Sequence, residues 1–112
     1  MDHSASAFPE PGLMDIDSAV DSAIEGGADA IVLHKGPLTY HFARTAWGRF
    51  VCHSSMSTIH GGSRSQEKIT VSNAREGLSR GAIGMSGQVN LGDQAEPEMI
   101  LRMSNITSEA LE

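Results

Sequence analysis

The sequence is poor in several features that define common protein classes. Cys52 is its one cysteine, so no disulfide can form within the chain. Aromatic residues make up 4%, and Lys plus Arg number 8 against 14 Asp plus Glu, which gives a formal net charge of −6. This acidic balance excludes an ordinary basic nucleic-acid domain, so no nucleic-acid partner is expected. The sequence lacks an apolar run of about 18 residues, so we expect no membrane span and no membrane partner.

The rest of the composition fits one small domain, which we expect to span residues 1–112. Val, Ile, Leu and Phe together number 23, near the lower limit for a packed core. The start at Met1–Ser4 is polar and acidic and shows no signal-peptide pattern, so the expected location is cytoplasmic. Lys and Arg cluster between residues 30 and 92, which either marks an anion-binding face or is a chance grouping of solvated charges.

Hydrophobic periodicity predicts helices alternating with short buried strands. The helices are expected over 15–25, 72–80 and 94–111, and the strands over 28–34, 50–53 and 82–90. Residues 37–48 fit a short helix or a long loop, residues 54–65 a loop, and 69–71 a strand-like lead into a helix. Such alternation favours an α/β fold of parallel βα units, either an open doubly wound sheet or part of a (β/α)₈ barrel.

Polar side chains recur where the apolar strands end. His34 and Lys35 follow the first strand, His53 ends the second, Gln88 and Asn90 end the third, and Asp2 and His3 precede the first loop. Ligands bind at the carboxyl ends of strands in α/β folds, so these residues predict a site there. The plainer alternative is that strand ends reach solvent and become polar for that reason.

Other chemistry is less strongly indicated. Three histidines with Asp2 could gather around zinc, but no close-spaced metal motif occurs, and we expect neither a metal nor a cofactor. The loop over 61–65 could form a backbone nest for an anion. His41 and His60 are expected in exposed loops, and Cys52 is expected to be a small buried residue.

The ordered series of short motifs resembles the archaeal-type class I aldolases. It begins with Met-Asp-His at 1–3 and Pro-x-x-Gly-Leu-x-Asp-Ile over 9–16, and continues with the segment over 25–36. A strand ending in His53 with a Ser-rich turn and Val-Asn-x-Gly over 89–92 complete it. The family includes fructose-bisphosphate aldolases and 2-amino-3,7-dideoxy-D-threo-hept-6-ulosonate synthases, which serve aromatic amino acid synthesis.

This resemblance implies a (β/α)₈ (TIM) barrel, often found in higher oligomers, that forms a Schiff base between a lysine and a ketose phosphate. It implies a catalytic role for Asp2 and places His3, His34, Lys35, His53 and Asn90 around a sugar-phosphate substrate. Ser4 stands where the family has glycine. The similarity covers the front half of the barrel, lacks most of the first strand, and includes no counterpart of the family lysine.

The expected protein is therefore the N-terminal half of an aldolase-type barrel, inactive alone and self-associating as a homo-oligomer. A non-catalytic half-barrel that serves in binding or assembly is the alternative, since unpaired sheet edges invite association. A metal hydrolase that uses the histidines is a third possibility.

Overall fold

The computed structural model describes residues 11–112, so Asp2 and His3 lie outside the described part of the chain. In chain order the elements are α1 (Ile16–Glu25), β1 (Ile31–Leu33), α2 (Lys35–Thr45), β2 (Phe50–His53), β3 (Ser55–Met56), β4 (Ile69–Thr70), α3 (Ala74–Ser79), β5 (Gly84–Ser86) and α4 (Glu96–Ala110). Turns of 3₁₀ helix occur at Pro11–Leu13 and Ile59–Arg64. None of the helices among residues 11–112 has the length and hydrophobicity of a membrane span.

Three short parallel strands form the centre of the structure, in the order β1–β2–β5. Leu33 of β1 lies opposite Cys52 of β2, and His53 of β2 lies opposite Ser86 of β5. Helices connect successive parallel strands, which confirms the predicted α/β class with parallel βα units. The arrangement is compatible with part of a barrel.

Helix α1 matches the predicted helix over 15–25, and its start is set by Asp15. The Asp15 carboxylate accepts hydrogen bonds from the backbone N–H of Ser18 at 3.2 Å and from its hydroxyl at 2.9 Å. These hydrogen bonds hold the pKa of the Asp15 carboxyl below its usual value. Val20, which is fully buried, lies on the apolar stripe that packs against the sheet.

The core lies between the sheet and the first two helices. Cys52 is fully buried and carries a free thiol, as predicted. Leu38 of α2 and Ala82, which lies just before β5, also belong to this core. The buried cluster consists of Val20, Ile31, Leu33, Leu38, Phe50, Cys52 and Ala82.

Residues 37–48, which fit either a short helix or a long loop, lie mostly within helix α2. The first strand is shorter than predicted: it ends at Leu33, His34 stands at the N-cap, and Lys35 is already helical. Pro37 lies in the first turn, where its missing N–H costs nothing. The expectation that His41 sits in an exposed loop is wrong, because His41 lies three residues after Leu38 on the buried face of α2 and is 2% exposed.

Two further predictions need correction. The third strand covers only Gly84–Ser86, because β2, its one strand partner within the described residues, ends at His53. The expected loop over 54–65 contains β3, which pairs antiparallel with β4 through Ser55 opposite Thr70. A small second sheet therefore follows directly on the carboxyl end of β2.

Helices α3 and α4 pack on each other and on β5. Met99 and Ile106 are buried on one face of α4, which confirms the predicted final helix. The Glu109 carboxylate of α4 accepts hydrogen bonds from the backbone N–H groups of Ala74 at 3.1 Å and Arg75 at 3.2 Å, at the start of α3. The N-terminal N–H groups of a helix have no partner within the helix, so Glu109 satisfies two of them.

Candidate functional site

Three polar side chains form a row across the carboxyl ends of the parallel strands. His34 follows β1, His53 is the last residue of β2, and Ser86 is the last residue of β5. Because Leu33 lies opposite Cys52, the next residues along the two strands, His34 and His53, become neighbours. The predicted meeting of these two histidines is therefore what the structure shows.

The two imidazoles contact each other edge to face. Their ring centroids are 5.3 Å apart and the ring planes make an angle of 67°. Each histidine is 6% exposed, so both rings are largely removed from solvent. A buried pair of this kind offers nitrogen donors and acceptors in a fixed geometry at the end of the sheet where α/β proteins bind ligands.

Ser86 completes the row, and sequence reasoning missed it. Its Oγ lies 2.7 Å from Nδ1 of His53. Its carbonyl oxygen accepts hydrogen bonds from both the backbone N–H and the hydroxyl of Ser54, each at 2.8 Å. The predicted third strand runs to residue 90, so the sequence analysis placed Gln88 and Asn90, and not Ser86, at its end. Once that strand ends at 86, the parallel register places Ser86 beside His53.

Lys35 begins α2 directly after His34, and its side chain takes part in an ion pair. Its Nζ lies 3.1 Å from Oε1 of Glu76 on α3, and the Lys35 side chain is 41% exposed. Nη2 of Arg80 also lies 3.1 Å from the same carboxylate oxygen. The hydrogen bond from Lys35, aided by Arg80, holds the pKa of the Glu76 carboxyl below its usual value. Lys35 therefore links α2 to α3 through an ion pair.

Asn90 lies beyond the end of β5 and joins two loops. Its Nδ2 donates a hydrogen bond of 2.6 Å to the carbonyl of Gln66, and its Oδ1 accepts one of 2.8 Å from Nε2 of Gln88. The backbone N–H of Gln88 donates to Oγ of Ser55 at 3.0 Å. Asn90 therefore holds the segment after β5 against the segment before β4, and Gln88 holds it against β3.

The remaining predicted residues are placed as follows. Asp2 and His3 lie outside the described residues, so their predicted roles stay predictions. Within residues 11–112 no three His, Cys, Asp or Glu side chains gather as a metal site would require. His60 is exposed, as expected. The guanidinium of Arg64, in the predicted anion loop, is bound to the carboxylate of Glu67 at 2.8 Å and 3.1 Å.

Comparison with known proteins finds related synthases. No family model matches the chain. A 2-amino-4,5-dihydroxy-6-oxo-7-(phosphonooxy)heptanoate synthase from Streptomyces griseus is 34% identical over 110 residues, which cover 95% of this chain. A 2-amino-3,7-dideoxy-D-threo-hept-6-ulosonate synthase from Halobacterium salinarum is 24% identical over 110 residues, which cover 98% of it. The chain is homologous to these synthases.

This homology confirms the resemblance drawn from the motifs. The chain spans 39% of the length of the Streptomyces griseus synthase and 41% of that of the Halobacterium salinarum synthase. More than half of each synthase therefore has no counterpart in these 112 residues.

Proposed function

We propose that this chain forms the front part of an aldolase-type (β/α)₈ barrel whose complete form makes or breaks a carbon–carbon bond on a ketose phosphate. The observation that carries the proposal is homology to two synthases over nearly the whole chain. The buried histidine pair at the carboxyl ends of parallel strands supports it, because that end of a barrel holds the active site.

In this proposal the site residues take roles that follow the family resemblance. Asp2 moves a proton at the reacting carbonyl. His3, His34, His53 and Asn90 line the mouth of the barrel around the sugar phosphate. Lys35 stays at its edge, where its ion pair with Glu76 orders the starts of α2 and α3.

The Schiff base requires a lysine that this chain does not supply. A nucleophilic lysine needs a desolvated amine, and Lys35 is instead exposed and paired with a carboxylate. Lys68, the other lysine, lies next to β4 and does not correspond to the family lysine that the resemblance implies. We therefore place the Schiff-base lysine in the part of the barrel that corresponds to the unmatched length of the relatives, and the chain alone is inactive.

Borohydride trapping tests the missing nucleophile. The 112-residue chain is incubated with dihydroxyacetone phosphate and sodium borohydride, and its mass is measured. We expect no covalent adduct. A substrate-dependent mass increase on Lys35 or Lys68 would contradict the proposal that another segment supplies the lysine.

A chimera tests the proposed function itself. The chain replaces the homologous segment of the Streptomyces griseus synthase, and the product is assayed for synthase activity and borohydride trapping. We expect activity that Asp2→Asn abolishes, whereas Asp29→Asn, at an exposed carboxylate after α1, leaves it unchanged. A folded chimera with no activity, or with activity that survives Asp2→Asn, would refute the assigned role.

A second candidate function is assembly, and the open sheet supports it. Within residues 11–112, β1 and β5 each have a strand partner on one side only. Beside β5 lies a groove of about 420 Å³ whose lining includes Ala82 and Met85. Leu78 and Ile83 on the same groove are 73% and 66% exposed. Unpaired strand edges flanked by apolar side chains favour pairing with another chain.

Sedimentation velocity at several concentrations tests self-association. We expect dimers or larger species, and we expect Ile83→Lys to shift the chain toward monomer. Ile100→Lys, on the exposed side of α4, serves as the matched control, since Ile100 is 49% exposed and does not line the groove. A sharp monomer at every concentration would argue against the assembly function.

A further inference from the structure

We propose that His41 is an acid-sensitive switch between α1 and α2: the neutral ring holds Arg44 against α1, and a proton on Nδ1 releases it. Nδ1 of His41 lies 3.2 Å from Nε and 3.1 Å from Nη2 of Arg44, one turn further along α2. A guanidinium has only donors, so both contacts require a lone pair on Nδ1. The single proton of the neutral ring is therefore on Nε2.

The arginine that His41 holds reaches from α2 to α1. Nη1 of Arg44 lies 2.9 Å from Oδ1 of Asp21, and its Nη2 donates to the backbone carbonyl of Asp17 at 3.4 Å. The Arg44 side chain is 27% exposed, so this ion pair is partly shielded from solvent. The N–H groups of a guanidinium form a rigid planar fork, so acceptance by Nδ1 orients Arg44 for its contacts with α1.

The other ring nitrogen of His41 faces α1 directly. Nε2 lies 3.7 Å from Oδ1 of Asp17, and the hydroxyl of Tyr40 donates to Oδ2 of the same carboxylate at 3.5 Å. The Tyr40 ring packs edge to face on the imidazole, with centroids 4.9 Å apart. Among the described residues, the charged and titratable groups around His41 are therefore Asp17 and Asp21 from α1 and Arg44 and Tyr40 from α2.

A second ring proton, taken up from solvent, would break the contact with Arg44. It would occupy the lone pair of Nδ1 and place an imidazolium beside a guanidinium, so two hydrogen bonds would be replaced by repulsion between like charges. His41 is 2% exposed, so burial also opposes the charged ring. Asp17 and Asp21 attract that charge, but burial and Arg44 outweigh them, and the pKa of His41 lies below its ordinary value. Acid therefore favours a state in which Arg44 no longer bridges the two helices.

The expected opening is local. Val20 on the apolar stripe of α1 is fully buried in the core, so α1 stays on the sheet when its side-chain link to α2 is lost. Helix α2 begins directly after His34, so the switch acts on the helix that follows the carboxyl end of β1. The inference does not depend on the proposed function, because every group in it belongs to this chain.

NMR of the ¹⁵N-labelled 112-residue chain tests the proposal. Long-range ¹H–¹⁵N spectra above the titration range of histidine report which ring nitrogen is protonated, and we expect Nδ1 of His41 to be unprotonated and Nε2 to be protonated. During acidification, the Nε–H signal of Arg44 and the amide signals of α1 should shift with the midpoint of the His41 ring, while the amide signals of α4 stay unchanged. A protonated Nδ1 in the neutral ring, or α1 signals that do not follow His41, would overturn the proposal.

Two substitutions should move the His41 midpoint in opposite directions. Arg44→Leu removes the cation beside Nδ1, so it should raise the midpoint and uncouple the α1 signals from the ring. Asp17→Asn removes the carboxylate beside Nε2, so it should lower the midpoint. Arg49→Leu is the matched control, because Arg49 is an exposed arginine just before β2, and it should leave the midpoint unchanged.

A His41 midpoint that Arg44→Leu leaves unchanged would overturn the proposal, because an arginine with a purely structural role has no effect on the proton affinity of the ring. If a variant does not fold, the tautomer and the coupled shifts of the unmodified chain decide the question. The result is independent of the chimera assay: an inactive chimera leaves the His41 titration unaffected, and a failed switch leaves the homology and the missing lysine as they are.

Discussion

Replacement of Gly81 by alanine should destabilise the chain by about 2–4 kcal/mol, through two separable causes. Gly81 connects α3 to β5 with a φ of +104°, a left-handed conformation that side chains rarely adopt. An added Cβ would also lie 2.5 Å from Cγ of Phe42 and 2.6 Å from Cδ2, well inside contact distance. Phe42 belongs to α2, so Gly81 is where the turn before β5 meets that helix.

The two costs can be assigned separately. A non-glycine residue in the left-handed region costs about 1–2 kcal/mol. Forcing extra volume against a packed ring costs about 1–3 kcal/mol, and the lower part of that range applies because Phe42 is 39% exposed and can swing outward. Gly92 separates the terms, because its φ is +85° and nothing lies within 4 Å of its added Cβ. Gly92→Ala should therefore cost only the conformational part.

Urea unfolding followed by circular dichroism measures both variants. We expect Gly81→Ala to lose about 1–2 kcal/mol more than Gly92→Ala. In a Phe42→Ala background the two losses should become equal, since the clash is gone and the conformational cost remains. Gly36→Ala is a further control: Gly36 lies in α2 with open space around it and no left-handed φ, so alanine should stabilise it by about 0.4–1 kcal/mol. Equal losses for Gly81→Ala and Gly92→Ala in the native background would refute the contact with Phe42.

Three further outcomes are expected. Burial, with the nearby charge of Arg44, lowers the pKa of His41 below its ordinary value of 6.5. As the pH drops through about 6.5, the unfolded chain takes up a proton before the folded chain does, so the free energy of unfolding should fall. Urea midpoints measured between pH 5 and 8 should show this slope, which His41→Gln should flatten and His60→Gln should leave unchanged. Glu76→Gln, which breaks the contacts with Lys35 and Arg80, should lower the urea midpoint slightly at low salt and less at high salt. Glu112→Gln, at an exposed carboxylate, should leave the midpoint unchanged. Cys52 should react with a thiol reagent only as fast as the chain opens, because it is fully buried, and immediate labelling of the native chain would contradict the core as described.

Hydrophobic periodicity was sufficient to predict the elements whose sequence signals are local. Helix α1 was predictable because its apolar stripe and the Asp15 cap are both visible in the sequence. Helix α2 was not, because Gly36 and Pro37 are typical of a turn and here occupy the first turn of a helix instead. The burial of His41 was not predicted for the same reason, since the three-residue spacing from Leu38 indicates a shared buried face only on a helix.

The site was predictable in part for the same reason. His34 and His53 were brought together by one rule, that parallel strands end at a common edge. Ser86 required the register and the length of β5, and both depend on where β2 ends. The ion pair of Lys35 could not be predicted, because its partner, Glu76, lies on another helix far along the sequence and no local pattern indicates it.

The carboxylate of Glu109 has a consequence for how the chain is made. Helix α3 begins at Ala74, yet two of its first N–H groups are satisfied only by a side chain on the last helix. During synthesis from the N-terminus, that side chain emerges 35 residues after Ala74. The short helix that precedes β5 therefore lacks these two hydrogen bonds until residue 109 has left the ribosome. β5, which carries Ser86, also packs on α4. Helix α3 and strand β5 therefore gain these contacts together, after α4 has been made, rather than in sequence order.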